Sequence, residues 1–272
     1  MNKFFDEIIV IGLERCQNRI DMVESQLKKI NKHTYLKYRI FSAFDGQQIL
    51  NPSMKLMTRA PLKAFANFNT GRPKFLLGML CCGLSHIAVL KYAKMMRLKG
   101  VLILEDDVIL SPDFEDRLKL LEEVPDDAQI IYLGAIVTSD HLSKKYKISE
   151  HVWNAQKMNL YATHSYIATE KGYDALIKKM MESEDTCDTL LKQGIEKQEI
   201  KGYALIPFCT YQAEGTSEID FRKKSLNYTR TLYSPDANLS NIGGYDRKTK
   251  MNIRDIKSEY GYEENITPKS LF

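Results

Sequence analysis

The sequence contains no long hydrophobic run. None of its apolar stretches approaches the roughly 18 residues that a membrane-spanning helix needs. The first apolar run, at residues 8–13, follows Asp6 and Glu7, whereas a secretory signal begins with basic residues. We therefore expect a protein that neither spans a membrane nor is secreted.

Cysteine is scarce and irregularly placed. The five cysteines are odd in number, include the adjacent pair Cys81 and Cys82, and lack the CxxC spacing of zinc and redox sites. We interpret the adjacent pair as small buried apolar residues. This usage favours a reducing compartment, and we expect a cytoplasmic protein.

The sequence also lacks a P-loop, an internal repeat and a low-complexity segment. Its net charge of +4 is small for 272 residues, and both signs are interspersed, so no nucleic-acid partner is expected. Lys and Arg become frequent only after Arg222. We predict one domain over 1–220 and a basic extension over 221–272, which is either a solvated tail or a contact to anionic lipid.

Apolar runs of strand length alternate with segments of helical periodicity. Residues 8–11, 35–44, 101–110, 127–135, 161–169 and 202–212 read as strands, and the segments between them mostly as helices. Residues 51–77 contain three prolines and are predicted to form a long irregular connection. The alternation predicts an α/β fold with a mostly parallel, Rossmann-like central sheet flanked by helices.

Three consecutive acids, Glu105, Asp106 and Asp107, end the apolar run at 101–104. Ligands of parallel α/β sheets bind outside the carboxyl ends of the strands. Side-chain alternation predicts that Glu105 and Asp107 share one face while Asp106 points to the other. A divalent cation such as Mg²⁺ or Mn²⁺ would relieve the repulsion between the carboxylates. The alternative is a solvated edge, or acids that favour the N-terminus of a following helix.

The order of motifs is specific. Seven sequence motifs follow one another along the chain: IIVIGLERCQNRID, FSAFDG, GMLCCGLSHIAVLKYA, VLILEDDV, IIYLG, THSYIATEKGYDALI and CDTLL. This order resembles glycosyltransferase family 25, which includes bacterial lipooligosaccharide galactosyltransferases and collagen galactosyltransferases. The resemblance covers roughly residues 7–215.

The resemblance implies a GT-A fold with a nucleotide-sugar site and a DxD-like metal motif. Carried onto this sequence, it makes Asp107 a ligand of Mn²⁺ or Mg²⁺ with Glu105 as its partner, and places Asp106 against the ribose or sugar of the donor. It further implies inverting transfer, of galactose above all, from a UDP-sugar to a hydroxyl of a glycan or glycolipid such as lipooligosaccharide. The enzyme would act in the cytoplasm, at the inner face of a membrane.

Further donor-site residues are expected from the same resemblance. Gly12 stands where the family typically has Asn. Arg15 and Arg19, one helical turn apart, would reach the phosphates or the base of the donor. The alternative, which applies more to Arg19, is that both are solvated helix-surface arginines. Asp45 either contacts the donor or only forms a turn, and His86 either binds the diphosphate, orients a carboxylate or packs in the core.

An inverting transfer needs a general base, usually a carboxylate. Asp188 is the candidate, as the base or as an acceptor-binding residue; an N-cap role is its structural alternative. Other candidates are Glu184, Asp185, Glu214 and Glu218.

Two other classes of protein remain open. The acidic triplet suits a different Mg²⁺-dependent phosphotransferase or hydrolase on a doubly wound sheet. A non-catalytic nucleotide- or glycan-binding protein of the same fold is the second.

Overall fold

The structure is a computed structural model that describes residues 3–34, 36–49, 73–137, 144–182 and 185–213, with two short strands at 215–216 and 223–224. The connection expected at 51–77 lies outside the described residues up to residue 72; residues 73–77 begin a helix, so there the expectation is wrong. The basic extension expected at 221–272 lies outside them apart from residues 223–224.

A seven-stranded sheet forms the centre of the protein, in the order β2-β1-β3-β7-β5-β8-β6. The strands, numbered along the chain, are β1 (Glu7–Gly12), β2 (Tyr38–Ser42), β3 (Gly100–Glu105), β4 (Val108–Leu110), β5 (Ile130–Val137), β6 (Val152–Asn154), β7 (Leu160–Thr169), β8 (Gly202–Leu205), β9 (Thr210–Gln212), β10 (Gly215–Thr216) and β11 (Lys223–Lys224). Within the sheet only β6 and β7 run against the other five strands. The predicted α/β fold with a mostly parallel sheet is confirmed.

Helices cover both faces of this sheet. They are α1 (Gln17–Thr34), α2 (Gly46–Ile49), α3 (Pro73–Met95), α4 (Phe114–Lys119), α5 (Tyr173–Met180) and α6 (Cys187–Glu196). Helices α3, α5 and α6 pack on the face that carries Ile103 and Tyr166. Helices α1 and α4 pack on the face that carries Leu102 and Leu104. Among the described residues, none of the helices has the length and apolarity needed to cross a membrane.

Strand β3 lies between β1 and β7, and helices cover it on both faces. Its residues Val101–Leu104 have no solvent exposure, which explains why the run is apolar on both faces instead of alternating. Each such side chain contributes about 1.5–3 kcal/mol on burial. The strand ends at Glu105, and after the turn at 106–107 the chain continues as β4, which pairs with β9. The end of β3 is therefore held in a fixed position.

Strand β7 contains a bulge opposite β5. Gly134 pairs with Ser165, but Ile136 pairs with Tyr161, so β7 has two extra residues at this point. Ala162 in the bulge has a φ of 69°. Such bulges often lie next to active sites, where they redirect side chains. The residues of this bulge take part in the site described below.

Candidate active site

The carboxyl ends of β1, β2 and β3 meet at one edge of the sheet. In the parallel register Gly12 lies beside Ser42, and Ile11 lies beside Glu105. Arg15 follows β1, Asp45 follows β2, and Asp106 and Asp107 follow β3. All four residues therefore lie at the same edge of the sheet. In open α/β sheets this edge forms the ligand crevice.

We call Asp106 and Asp107 the acidic turn. Asp106 Oδ1 is in direct contact with Arg19 Nη2, which also lies 3.3 Å from Asp107 Oδ2. The backbone N–H of Leu13 donates to Asp106 Oδ2 at 3.3 Å, and Gln212 Nε2 donates to Asp107 Oδ2 at 3.3 Å. The two carboxylates therefore converge on one cationic group.

Glu105 makes a different set of contacts. Its Oε1 accepts a hydrogen bond from Thr163 Oγ1 at 2.7 Å and lies 3.3 Å from His86 Nε2. The expected pairing of Glu105 with Asp107 on one face is wrong, because the strand ends at Glu105 and alternation does not continue through the turn. The structure brings Asp107 together with Asp106 instead.

Gly12 allows the acidic turn to approach β1. A Cβ atom at this position would lie 2.7 Å from Ile20 Cγ1 and 3.4 Å from Asp106 Cβ. Asparagine, the usual residue of the resembling family, would require Ile20 to move. Glycine here lets α1, and with it Arg19, pack close to Asp106.

Asp106 is buried, and its ionisation is unfavourable. Burial raises the pKa of Asp106 from 3.8 to about 7, against the lowering effect of Arg19. This net value also includes the charges of Asp107 and Glu105, which raise the pKa of Asp106, and the Leu13 N–H, which lowers it. The native state therefore binds more protons than the unfolded state between about pH 4 and pH 7, and raising the pH through this window lowers stability.

Asp106→Asn should therefore raise the free energy of unfolding above pH 7 by about 2–4 kcal/mol. Near pH 4 the carboxyl is largely protonated in the native state, so the variant should match the wild type there. Urea denaturation in EDTA at pH 4, 5.5 and 8 measures this difference. If the variant is no more stable than the wild type at pH 8, the ionisation of Asp106 does not destabilise the native state.

His86 is buried, with 1% of its surface exposed. Its Nδ1 lies 3.0 Å from the Tyr166 hydroxyl, and the two rings stack with centroids 5.7 Å apart. Burial lowers the pKa of His86, but the hydrogen bond to Glu105 and nearby negative groups raise it, and the net shift is upward. Among the roles expected for His86, these contacts agree with the orientation of a carboxylate, that of Glu105.

Arg15 and Asp45 form an ion pair with a distance of 2.8 Å between Nε and Oδ2. The other oxygen of Asp45 accepts from the backbone N–H of Gln47 at 2.9 Å, at the start of α2. Asp45 therefore caps the start of a helix where its Asp-Gly sequence predicts a turn, and it also holds Arg15 at the edge of the sheet. About a third of the Arg15 side chain is exposed, so solvent reaches this arginine.

Asp188 is the second residue of α6, and Thr186 occupies the N-cap position, so an N-cap role for Asp188 is wrong. Its Oδ2 accepts from the backbone N–H of Ala162 at 3.0 Å, and its Oδ1 accepts from that of Thr189 at 2.9 Å. These bonds fix Asp188 against the β7 bulge, next to the Thr163 that binds Glu105. Of the other candidates for the base, Asp185 bonds to the N–H of Thr186, while Glu184, Glu214 and Glu218 lie outside the described residues.

Sequence reasoning missed several residues of this site. Arg19 is not one of these: only 24% of its side chain is exposed and it contacts both acids of the turn, so of its two expected roles the solvated-surface alternative is wrong. Its spacing of four residues from Arg15 indicated the role, although Arg15 lies in a short 3-10 helix (Glu14–Cys16) that precedes α1. Nothing in the sequence indicates a role for Thr163, because its contact with Glu105 depends on the bulge in β7. Cys82 lies four residues before His86 on α3, and its sulfur is 3.8 Å from that of Cys187.

This arrangement defines a class of protein: an α/β domain with an acidic, arginine-lined edge at the carboxyl ends of its parallel strands, where such folds bind their ligands. The chain belongs to glycosyltransferase family 25. The family model described as "Glycosyltransferase family 25 (LPS biosynthesis protein)" matches residues 5–191. The resemblance noted in the sequence is confirmed.

Two relatives of known name are also named as glycosyltransferases. Human procollagen galactosyltransferase 2 is 24% identical over 232 residues, which cover 79% of this chain and 36% of that protein. A protein of Acanthamoeba polyphaga mimivirus named as a glycosyltransferase is 31% identical over 146 residues, covering 53% of this chain and 42% of the relative. The chain thus spans about two fifths or less of these relatives. A solved glycosyltransferase involved in glycosylation of the major capsid of PBCV-1 aligns with a TM-score of 0.40 and 10% identity, over 83% of this chain and 98% of that chain.

Proposed function

We propose that this protein is an inverting, metal-dependent glycosyltransferase that transfers galactose from UDP-galactose to a hydroxyl of a glycan acceptor. The observation that carries the proposal is the acidic turn at the end of the buried strand β3, in a chain that belongs to glycosyltransferase family 25. The name of the procollagen relative supports galactose as the sugar.

The acidic turn suits a hard cation. Its donors are carboxylate oxygens, which Mn²⁺ and Mg²⁺ prefer. Arg19 pairs with both carboxylates, so a cation bound here would share them with this guanidinium or displace it. We place the cation on Asp107, and the contacts favour Asp106 over Glu105 as the second carboxylate. A cation held here would neutralise negative charge on the departing UDP.

Two arginines supply further positive charge at the same edge. Arg19 offsets the charge of the acidic turn, and Arg15 is held by Asp45 at the end of the neighbouring strand. A guanidinium binds phosphate oxygens through paired N–H donors. We therefore assign the diphosphate of the donor to the space between these two side chains.

Asp188 is proposed as the general base. As the acceptor oxygen bonds to the anomeric carbon and the bond to UDP breaks, Asp188 would accept the proton of the acceptor hydroxyl. The hydrogen bonds from Ala162 and Thr189 fix the orientation of its carboxylate. A fixed base avoids the entropic cost of orientation during the reaction.

The acceptor is proposed to be a glycolipid such as lipooligosaccharide, which agrees with the description of the matching family. The reaction would take place in the cytoplasm, at the inner face of a membrane. The Lys- and Arg-rich residues after Arg222 would favour anionic lipid, at about 1 kcal/mol for each basic residue near the surface.

A panel of UDP-sugars, incubated with the purified protein and Mn²⁺, tests this function. We expect release of UDP with UDP-galactose as the preferred donor, and loss of that release in EDTA. Phosphate release from simple esters, without release of UDP, would support a phosphotransferase or hydrolase instead. UDP binding in calorimetry with no turnover of any donor would support a binding protein.

A further inference from the structure

A second group of ligating side chains lies behind Glu105, in the core between α3 and α6. Cys82 and His86 are one turn apart on α3, and Cys187 is the first residue of α6. The two sulfurs and one ring nitrogen of His86 all lie within 4.8 Å of one another. In the part of the chain that the structure describes, this is the one such group of three His, Cys, Asp or Glu side chains.

The distance between the sulfurs matches a metal site. Two thiolates on a tetrahedral zinc ion, each with a Zn–S bond of about 2.3 Å, are separated by about 3.8 Å. The Sγ atoms of Cys82 and Cys187 are 3.8 Å apart, whereas disulfide sulfurs are separated by about 2.05 Å. The two cysteines could therefore bind one ion without movement of the backbone.

The surroundings of His86 also suit metal binding. A ligating histidine normally donates its second ring N–H to a carboxylate or another acceptor. The two ring nitrogens of His86 face Glu105 and the Tyr166 hydroxyl. Whichever nitrogen binds the ion, the other therefore keeps a partner that orients the ring.

We propose that Cys82, His86 and Cys187 bind Zn²⁺. Thiolate and imidazole select this ion, whereas the carboxylates of the acidic turn select a harder one, so the two sites differ in donor chemistry. Three protein ligands leave a fourth position for water. The ion would link α3 to α6 and so fix the elements that carry His86 and Asp188.

Metal analysis of the full-length protein, purified from zinc-supplemented medium, tests this site. We expect about one equivalent of zinc in the wild type. Cys82→Ala and Cys187→Ala should each lose most of it, whereas Cys81→Ala should retain it. Cys81 is the matched control because it is a buried neighbour on the same helix and is not part of the group.

Replacement of the zinc by Co²⁺ provides a second measurement that needs no variant. The wild-type protein should show the charge-transfer absorption of cobalt thiolate together with the visible bands of tetrahedral cobalt. Folded wild-type protein without these bands, or with Cys82 and Cys187 joined in a disulfide, would overturn the proposal. Equal zinc content in the wild type and in folded Cys82→Ala would also overturn it. These results do not depend on sugar transfer, so a failure here leaves the proposed function untouched.

Discussion

Asp107→Asn should lower kcat/KM for UDP-galactose turnover by about 10²–10³-fold at a Mn²⁺ concentration that half-saturates the wild type. The substitution removes a carboxylate charge from the acidic turn while preserving the size of the side chain, so the cation that neutralises UDP is held more weakly. Loss of one group that stabilises developing charge typically has an effect of this size. Steady-state release of UDP, measured over a range of Mn²⁺ concentrations, should also show an increased metal requirement.

Asp116→Asn is the matched control. Asp116 is an exposed aspartate that pairs with Lys119 on α4, and its loss should leave turnover unchanged. Asp107→Asn with turnover within about two-fold of this control would remove Asp107 from the metal site.

Asp188→Asn should lower kcat by about 10²–10⁴-fold, the usual contribution of a general base. Asparagine can accept the hydrogen bond from Ala162 but cannot accept a proton at neutral pH. The affinity for the donor should change only a few-fold.

A structural role for Asp188 predicts a different result, because its carboxylate also links α6 to the β7 bulge. The variant would then melt at a lower temperature but turn over normally for each folded molecule. Asp185→Asn, three residues earlier, is the matched control. A larger loss of kcat in that variant would transfer the role of the base to Asp185.

Much of the fold could be predicted because the core residues are arranged in clear runs. Val101–Leu104 are apolar on both faces, which is typical of a central strand with helices on both sides. The prediction of irregular chain up to residue 77 is wrong at the start of α3, because Pro73 occupies the first turn of this helix, where proline is common.

The contacts within the site could not be predicted to the same extent, because they depend on where elements end and how they pack. Alternation failed at Asp107 since β3 stops two residues earlier. Arg19 meets Asp106 where α1 packs beside the end of β1, and Gly12 leaves room there for the Ile20 side chain. Cys82 and Cys187 are 105 residues apart, so no local spacing could show that their sulfurs are in contact.

Binding of UDP-galactose by calorimetry, with and without Mn²⁺, tests most directly whether the acidic turn holds a cation for the diphosphate. The account predicts binding by the wild type that depends on Mn²⁺ and is greatly weakened in Asp107→Asn. Equal affinity in EDTA and in Mn²⁺, unchanged in Asp107→Asn, would contradict it.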